Sequence, residues 1–553
     1  MDETGGGVRR AAVVAGTLVA CVAATLAVWW PTLGIGFLGD DLEGVARAAG
    51  STDAGSGAAP LYRPLALWSL HLDRDLWGLD PRGFHLTGLL LAAVAAWLVG
   101  AVAFGLGRRW PPVGSGAPRP WVAAAAAAGW FVLWPSHAEA VAWIGGRGDL
   151  IAVVGCLTCL WCWGAAEGWW SDRLRDDDRA ARSALAWRVL SVVAIVTALA
   201  GKESAVVWPL VVAVLAAALA GPDRARGRVR AAVLRVWPLV AAAVVWFVWR
   251  STRLVAASGG PPPAWEGAPW GPVRRLASVV VRAAVPPLDG RGLVAVGAVA
   301  VLLGAGAAVI RRSGGEAWRL PAALVAAAAI SALPGTALGA SADGSIGERL
   351  TFLASVPVVL LCALALLAVW STRAAWGVAA AVLVTAALVP STVAAVHRWT
   401  RAGDQAARFV ASLDRLPRDR PVVLLVLPDE RGGAYVARNA LTAELAERRG
   451  WRSPQLVWAA TSARADGALE VSTAAMPAPA DGTGTWRVRL GGAGARFTEV
   501  SPRPAGPDAG AVAVRRVDPA EVEVAVGPSL DGVPPEVWTL DGGRVVPAPR
   551  APR

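Results

Sequence analysis

The 553-residue chain is 55% hydrophobic, with a mean hydropathy of +0.48. Its apolar residues fall in unbroken runs of about 18 or more, which excludes a soluble globular class and marks a polytopic α-helical membrane protein. The formal net charge of +12 does not point to a nucleic-acid partner, because the arginines are scattered through short loops between apolar runs, where they orient inserted helices.

In chain order, about eleven apolar spans are expected, near 11–34, 84–106, 121–136, 149–170, 184–200, 203–220, 231–249, 291–310, 319–339, 350–370 and 374–395. Arg9 and Arg10 precede the first run and no small-residue cleavage site follows, so that run reads as a retained helix. Cys21, Cys156, Cys159, Cys162 and Cys362 all lie inside spans, where small soft packing residues are a better reading than a metal site or a disulfide. With the N-terminus inside, the arginine-rich stretches at Arg108–Arg119, Arg173–Arg188, Arg224–Arg235, Arg311–Arg319 and Arg373 fall on the cytoplasmic side. Residues 250–292 are the exception and carry several arginines outside.

That orientation turns four polar clusters outward: GDDLEG (Gly39–Gly44), WPSHAEAVAWIGGRGDL (Trp134–Leu150), GKES (Gly201–Ser204) and SIGERL (Ser345–Leu350). Ionisable groups at membrane depth cost about 2.5–3.5 kcal/mol each on insertion scales, so such residues are functional candidates, although any one cluster suits a helix ending at the interface equally well. Tyr62–Leu86 mixes aromatic and charged residues as an interfacial helix does, and Arg274–Leu288 is too short to span with its charges. After residue 395 the character changes. PVVLLVLPDE reads as a buried strand, YVARNALTAELAERRG as an amphipathic helix, and TWRVRLGG, VEVAVG and EVWTL as strands. The expected division is a membrane domain over 1–395 and a small extracytoplasmic α+β domain over 396–553.

The outward clusters, in their chain order, resemble the GT-C-fold glycosyltransferases. They are most similar to bacterial relatives of the transmembrane O-mannosyltransferases that carry tetratricopeptide repeats. The resemblance rests on Asp40-Asp41, on Tyr62–Leu65 followed by Gly78–Leu86, on the PxHxEAVAW…GRxDL block of Pro135–Leu150, on Gly201-Lys202-Glu203 and on Glu348-Arg349. It covers roughly residues 10–400. Trp134 replaces the usual histidine, ERLTFLAS lacks the usual tyrosines and proline, and no repeat of about 34 residues is present.

The resemblance implies transfer of a sugar from a polyprenyl-phosphate donor to an extracytoplasmic protein or glycan acceptor at a bacterial cytoplasmic membrane. Asp40 is then the expected general base, with Asp41 as runner-up or orienting partner. Lys202 and Arg349 are the expected contacts of the departing phosphate, with Arg147 and Arg63 behind them. Lys202 stands out as the sole lysine among 53 basic residues, and a pairing with Glu203 is one reading of it. Glu203 and Glu348 neutralise these cations in the same picture. His137 and Glu139, two apart, point to different faces of any regular helix and read as acceptor-side hydrogen-bonding groups. No metal-ligand set is named, and a divalent cation is left open. The competing class is a transporter or flippase of a lipid-linked or polar solute, which would show internal repeats and polar residues at helix midpoints.

Overall fold

The structure is a computed structural model. It describes residues 3–50, 63–110, 120–170, 178–220, 225–258, 283, 290–312, 315–337, 347–437, 441–451, 457–476, 484–500, 512–527 and 534–549. Tyr62 and nearly all of Arg274–Leu288 lie outside these residues. The first half holds α1 (Glu3–Trp29), α2 (Asp41–Ala48), α3 (Pro64–Trp77), α4 (Pro81–Arg109), α5 (Pro120–Val132), α6 (Ala138–Ala142), α7 (Arg147–Ala166) and α8 (Asp178–Gly201). Then follow α9 (Trp208–Leu219), α10 (Ala225–Arg235), α11 (Trp237–Ser258), α12 (Gly290–Arg312), α13 (Arg319–Ala332), α14 (Phe352–Thr372) and α15 (Ala374–Ser412).

Each expected apolar span is helical, but not every one is long enough to cross a bilayer. Among the described residues eight helices are long and apolar enough, or nine if Gly227–Arg235 and Trp237–Thr252, bent by 50°, form one span. Pro120–Val132 and Glu203–Leu219 are shorter. The expected interfacial segment divides at Gly78 (φ 62°), where α3 ends, and α4 starts at Pro81. Trp68, Leu72, Leu76 and Trp77 on α3 are exposed, as suits a helix lying against lipid.

α14 is apolar all round and 94% of its apolar window is buried, which makes it the central staff of the bundle. α1 is the opposite case, with 11% of its window buried. α7 and α8 approach closely through small residues. A Cβ added at Gly155 would lie 2.8 Å from the Ala198 backbone nitrogen, so only glycine admits that contact.

α15 has 39 residues, about 58 Å at 1.5 Å per residue and roughly twice the apolar thickness of a bilayer. It therefore runs through the division expected at residue 396 and ends 10 residues before the first strand. The strands are β1 (Val422–Leu424), β2 (Leu427–Arg431), β3 (Ala434–Tyr435), β4 (Val457–Ala459), β5 (Ser462–Ala465) and β6 (Glu470–Ala475). β7 (Gly484–Gly491), β8 (Arg496–Glu499), β9 (Val512–Asp518), β10 (Glu521–Val526), β11 (Glu536–Asp541) and β12 (Arg544–Pro547) complete the domain. They form three four-stranded sheets, ordered β12-β11-β1-β4, β6-β7-β10-β9 and β3-β2-β5-β8. TWRVRLGG, VEVAVG and EVWTL are strands, as their alternation asks, whereas PVVLLVLPDE is not the single buried strand expected: it divides into β1 and β2, which join different sheets. YVARNALTAELAERRG is not the single helix expected: Tyr435 belongs to β3, and among the described residues of the segment helical turns appear at Leu441–Arg448.

Candidate active site

The acidic pair sits on the turn between α1 and α2. Gly39 has φ 58°, and an added Cβ would approach Tyr435 Cβ to 3.3 Å, so both backbone shape and space ask for glycine. Asp40 is the N-cap of α2, a position where Asp normally accepts a backbone N–H, yet its side chain makes no capping bond. It is half-buried, and no described residue engages its carboxylate in a hydrogen bond or ion pair. Asp41 is different. The Leu38 N–H donates to its Oδ2 at 2.9 Å and the Gly145 N–H donates to its Oδ1 at 2.7 Å, stitching the turn to the loop before α7. Burial pushes the Asp41 carboxyl well above the usual carboxylate range, against the pull of those two N–H groups.

Arg349 and Glu139 face this turn. The Arg349 N–H donates to Glu139 Oε2 at 3.0 Å, and its side-chain Nε lies 3.4 Å from Oε1. The guanidinium rests over the Trp143 ring at 4.6 Å, a cation–π contact. Its side chain is 25% exposed, whereas Glu139 is fully buried. The Tyr435 hydroxyl donates to Glu139 Oε1 at 3.0 Å. Burial raises the Glu139 carboxyl and the Arg349 charge pulls it back. The charges of Asp149 and Asp40 also act on Arg349.

The other cations sort into one open group and two sealed ones. Lys202 is buried, and its Nζ donates to Asp149 Oδ1 and Oδ2 at 2.5 and 2.6 Å. The expected Lys202–Glu203 pairing is not formed. Lys202 is extended (φ −158°, ψ 140°), so neighbouring side chains point apart, and Glu203 instead accepts a bidentate pair from Arg63 at 3.0 and 2.6 Å. Arg250, near the end of α11, comes within 3.7 Å of the same carboxylate. Arg147, expected near the donor phosphate, is sealed instead. It donates to Asp73 Oδ2 at 2.5 Å, Ser69 Oγ at 3.1 Å and the Phe84 carbonyl at 2.6 Å, and is 2% exposed, so it braces α3 against α4 and α7. Glu348 is buried and faces Arg398 of α15 at 3.8 Å.

His137 and Glu139 diverge because His137 ends a 3-10 turn and Glu139 opens α6. The His137 ring lies between Phe131 and Phe352, at 4.4 and 4.5 Å, with Nδ1 at 2.9 Å from the Phe131 carbonyl and Nε2 at 2.7 Å from Ser355 Oγ. Burial pushes its pKa down to about 3, so it stays neutral at every physiological pH. The unfolded chain takes a proton there below about pH 6.5 while the folded one does not, so stability present above that pH is lost as pH falls toward 3. His137→Gln is expected to flatten the acid limb of a melting-temperature profile between pH 6.5 and 4; an unchanged limb would contradict the burial account.

Asp41 and Glu139 are spent on N–H and O–H donors, and among the described residues no group of three or more His, Cys, Asp or Glu is placed to hold a metal ion. The five cysteines are free thiols.

An apolar groove of about 540 Å³ opens between α3, α8 and α11. Pro64, Leu65 and Trp68 of α3, Val192 to Ala200 of α8, and Trp246 and Trp249 of α11 line it. Three of these lining residues neighbour the cations in the chain: Pro64 follows Arg63, Trp249 precedes Arg250 and Ala200 is two residues before Lys202, although none of those cations lines the groove itself.

No protein-family model matches the chain. Over 154 residues it is 31% identical to Protein O-mannosyl-transferase Tmtc1 of Drosophila melanogaster, a match covering 25% of this chain and 17% of the fly protein. The chain thus aligns with about a sixth of that relative's length. Among solved structures it is similar to ArnT from Cupriavidus metallidurans in the apo state, with TM-score 0.46 and 14% identity over 93% of this chain and 98% of that one. The Archaeoglobus fulgidus oligosaccharyltransferase tethered with an acceptor peptide gives TM-score 0.42 and 13% identity over 74% and 61%.

Proposed function

We propose that the chain is a membrane glycosyltransferase that moves a sugar from a polyprenyl-phosphate carrier to a hydroxyl of a protein or glycan acceptor outside the cytoplasm. The observation that carries this reading is the division of labour in the acidic pair: Asp41 is committed to backbone N–H groups, and Asp40 is uncommitted, half-buried and within the electrostatic reach of Arg349. A general base needs a free carboxylate beside the acceptor, and a departing phosphate needs fixed positive charge.

In this reading Asp40 takes the proton of the acceptor hydroxyl as its oxygen attacks the anomeric carbon. The bond from that carbon to the phosphate oxygen breaks, its electron pair stays with the phosphate, and polyprenyl phosphate leaves. Arg349 meets the charge that develops on it, and Arg63 and Arg250 hold the phosphate. The groove takes the first isoprene units, since Trp68, Val193 and Val196 on its walls are exposed and apolar. The 154-residue likeness to a protein named an O-mannosyl-transferase supports the same reaction class.

The transporter reading asks for charge at helix midpoints. Here Asp41, Asp149, Lys202 and Arg349 all stand at helix ends, which favours an enzyme at the membrane face.

Chain-length dependence tests the proposal. Val196→Trp fills part of the groove, and each isoprenoid CH₂ it displaces forfeits about 0.8 kcal/mol. Excluding two such groups raises the KM of a full-length polyprenyl donor about tenfold. The KM of a short-chain donor bearing the same sugar stays unchanged. Equal effects on both donors would remove the groove from the substrate path.

A further inference from the structure

Tyr435 lies 296 residues beyond Glu139 in sequence, on a two-residue strand of the outer domain, and is 2% exposed. Its hydroxyl donates to Glu139 Oε1 at 3.0 Å, the carboxylate that also faces Arg349. Its ring meets Trp143 edge to face at 4.8 Å, and Trp143 carries the Arg349 guanidinium on its face. On the other side the Gly39 N–H donates to the Val436 carbonyl at 3.2 Å, and a Cβ added at Gly39 would come within 3.3 Å of the Tyr435 Cβ. The Trp143 Nε1–H donates to the Leu38 carbonyl at 3.3 Å and closes the ring of contacts. One strand end thus touches both the turn that carries Asp40 and the pair that carries Arg349.

We propose that Tyr435 is a positioning residue that sets Asp40 and Arg349 relative to each other, so that the outer domain completes the site. The chemistry it serves rests on the glycosyl-transfer reading; the clamp itself rests on geometry alone. Nothing in it requires Tyr435 to touch substrate. The ring packs the Gly39 turn, and the hydroxyl holds Glu139 in the orientation that receives the Arg349 N–H and side chain.

The test compares Tyr435→Phe and Tyr435→Ala in the full-length protein in detergent or nanodiscs, by hydrogen exchange, thermal melting and transfer kinetics. Tyr435→Phe keeps the ring and removes one donor. It is expected to leave the thermal midpoint within about 2 °C, to speed amide exchange at Arg349, and to lower kcat about tenfold with donor and acceptor KM unchanged. Tyr435→Ala is expected to speed exchange at Gly39 to Asp41 as well. Unchanged exchange at both loops in Tyr435→Ala, or wild-type kcat in Tyr435→Phe, overturns the proposal. So does a loss of activity in Tyr435→Phe that only tracks the loss of folded protein. A wild type that transfers no sugar, while Tyr435→Phe still loosens the Arg349 loop and Tyr435→Ala still loosens both loops, supports the clamp and removes the transferase reading instead.

Discussion

Asp40→Asn is expected to lower sugar transfer by about 10²–10⁴-fold, the usual contribution of a general base, with little change in melting temperature. The side chain caps nothing and pairs with no described residue, so its replacement by an isosteric amide removes no structural bond. Asp41→Asn is expected to behave differently. An amide presents one oxygen, so one of the N–H groups of Leu38 and Gly145 faces an NH₂ group instead of a carboxylate oxygen. The lost charge-assisted bond costs about 2 kcal/mol, and activity falls together with stability. If Asp40→Asn retained transfer while Asp41→Asn lost it with an unchanged melting curve, the roles of the two acids would be reversed.

The second large effect concerns Lys202. Lys202→Met leaves the Asp149 carboxylate buried without its cation, and breaking a buried pair from one side costs about 3–5 kcal/mol. Replacing both partners with apolar residues of similar size, Lys202→Met with Asp149→Leu, is expected to recover most of that stability. Transfer is expected to stay low in the double variant, because the ammonium beside Arg63 and Arg349 is gone even though the net charge of the pair is unchanged. Recovery of full activity with stability would mean that Lys202 serves only to neutralise Asp149. Melting curves and transfer rates on the four proteins of this cycle separate the two roles.

The membrane helices were readable from sequence because a bilayer leaves no choice. An apolar run in lipid must satisfy its own backbone, and a helix does so within the segment. Which runs cross the bilayer was not readable with the same ease, since Pro120–Val132 and Glu203–Leu219 are helical yet short. Within the site, local geometry was legible and long-range pairing was not. The GDD turn, the His-x-Glu divergence and the odd lysine all stood out in sequence. The partner of Lys202 did not, because an extended residue at 202 turns its side chain away from Glu203 and toward Asp149, 53 residues upstream. Arg147 looked available in sequence because its acceptors, Asp73, Ser69 and the Phe84 carbonyl, come from other helices. Tyr435, one of only two tyrosines in the chain, lies inside a segment whose periodicity suggested a helix. Its contacts to Glu139, Trp143 and Gly39 come from segments about 300 to 400 residues away in the chain, which local pattern does not encode.

The most direct test of the account is transfer by the purified full-length protein in liposomes, offered a panel of radiolabelled polyprenyl-phosphate sugars and a mixture of peptide and glycan acceptors. The account predicts label on an acceptor from at least one donor, one polyprenyl phosphate released per sugar moved, and loss of both signals in Asp40→Asn. Label that crosses the bilayer still attached to its carrier, with no acceptor labelled from any donor, would contradict it.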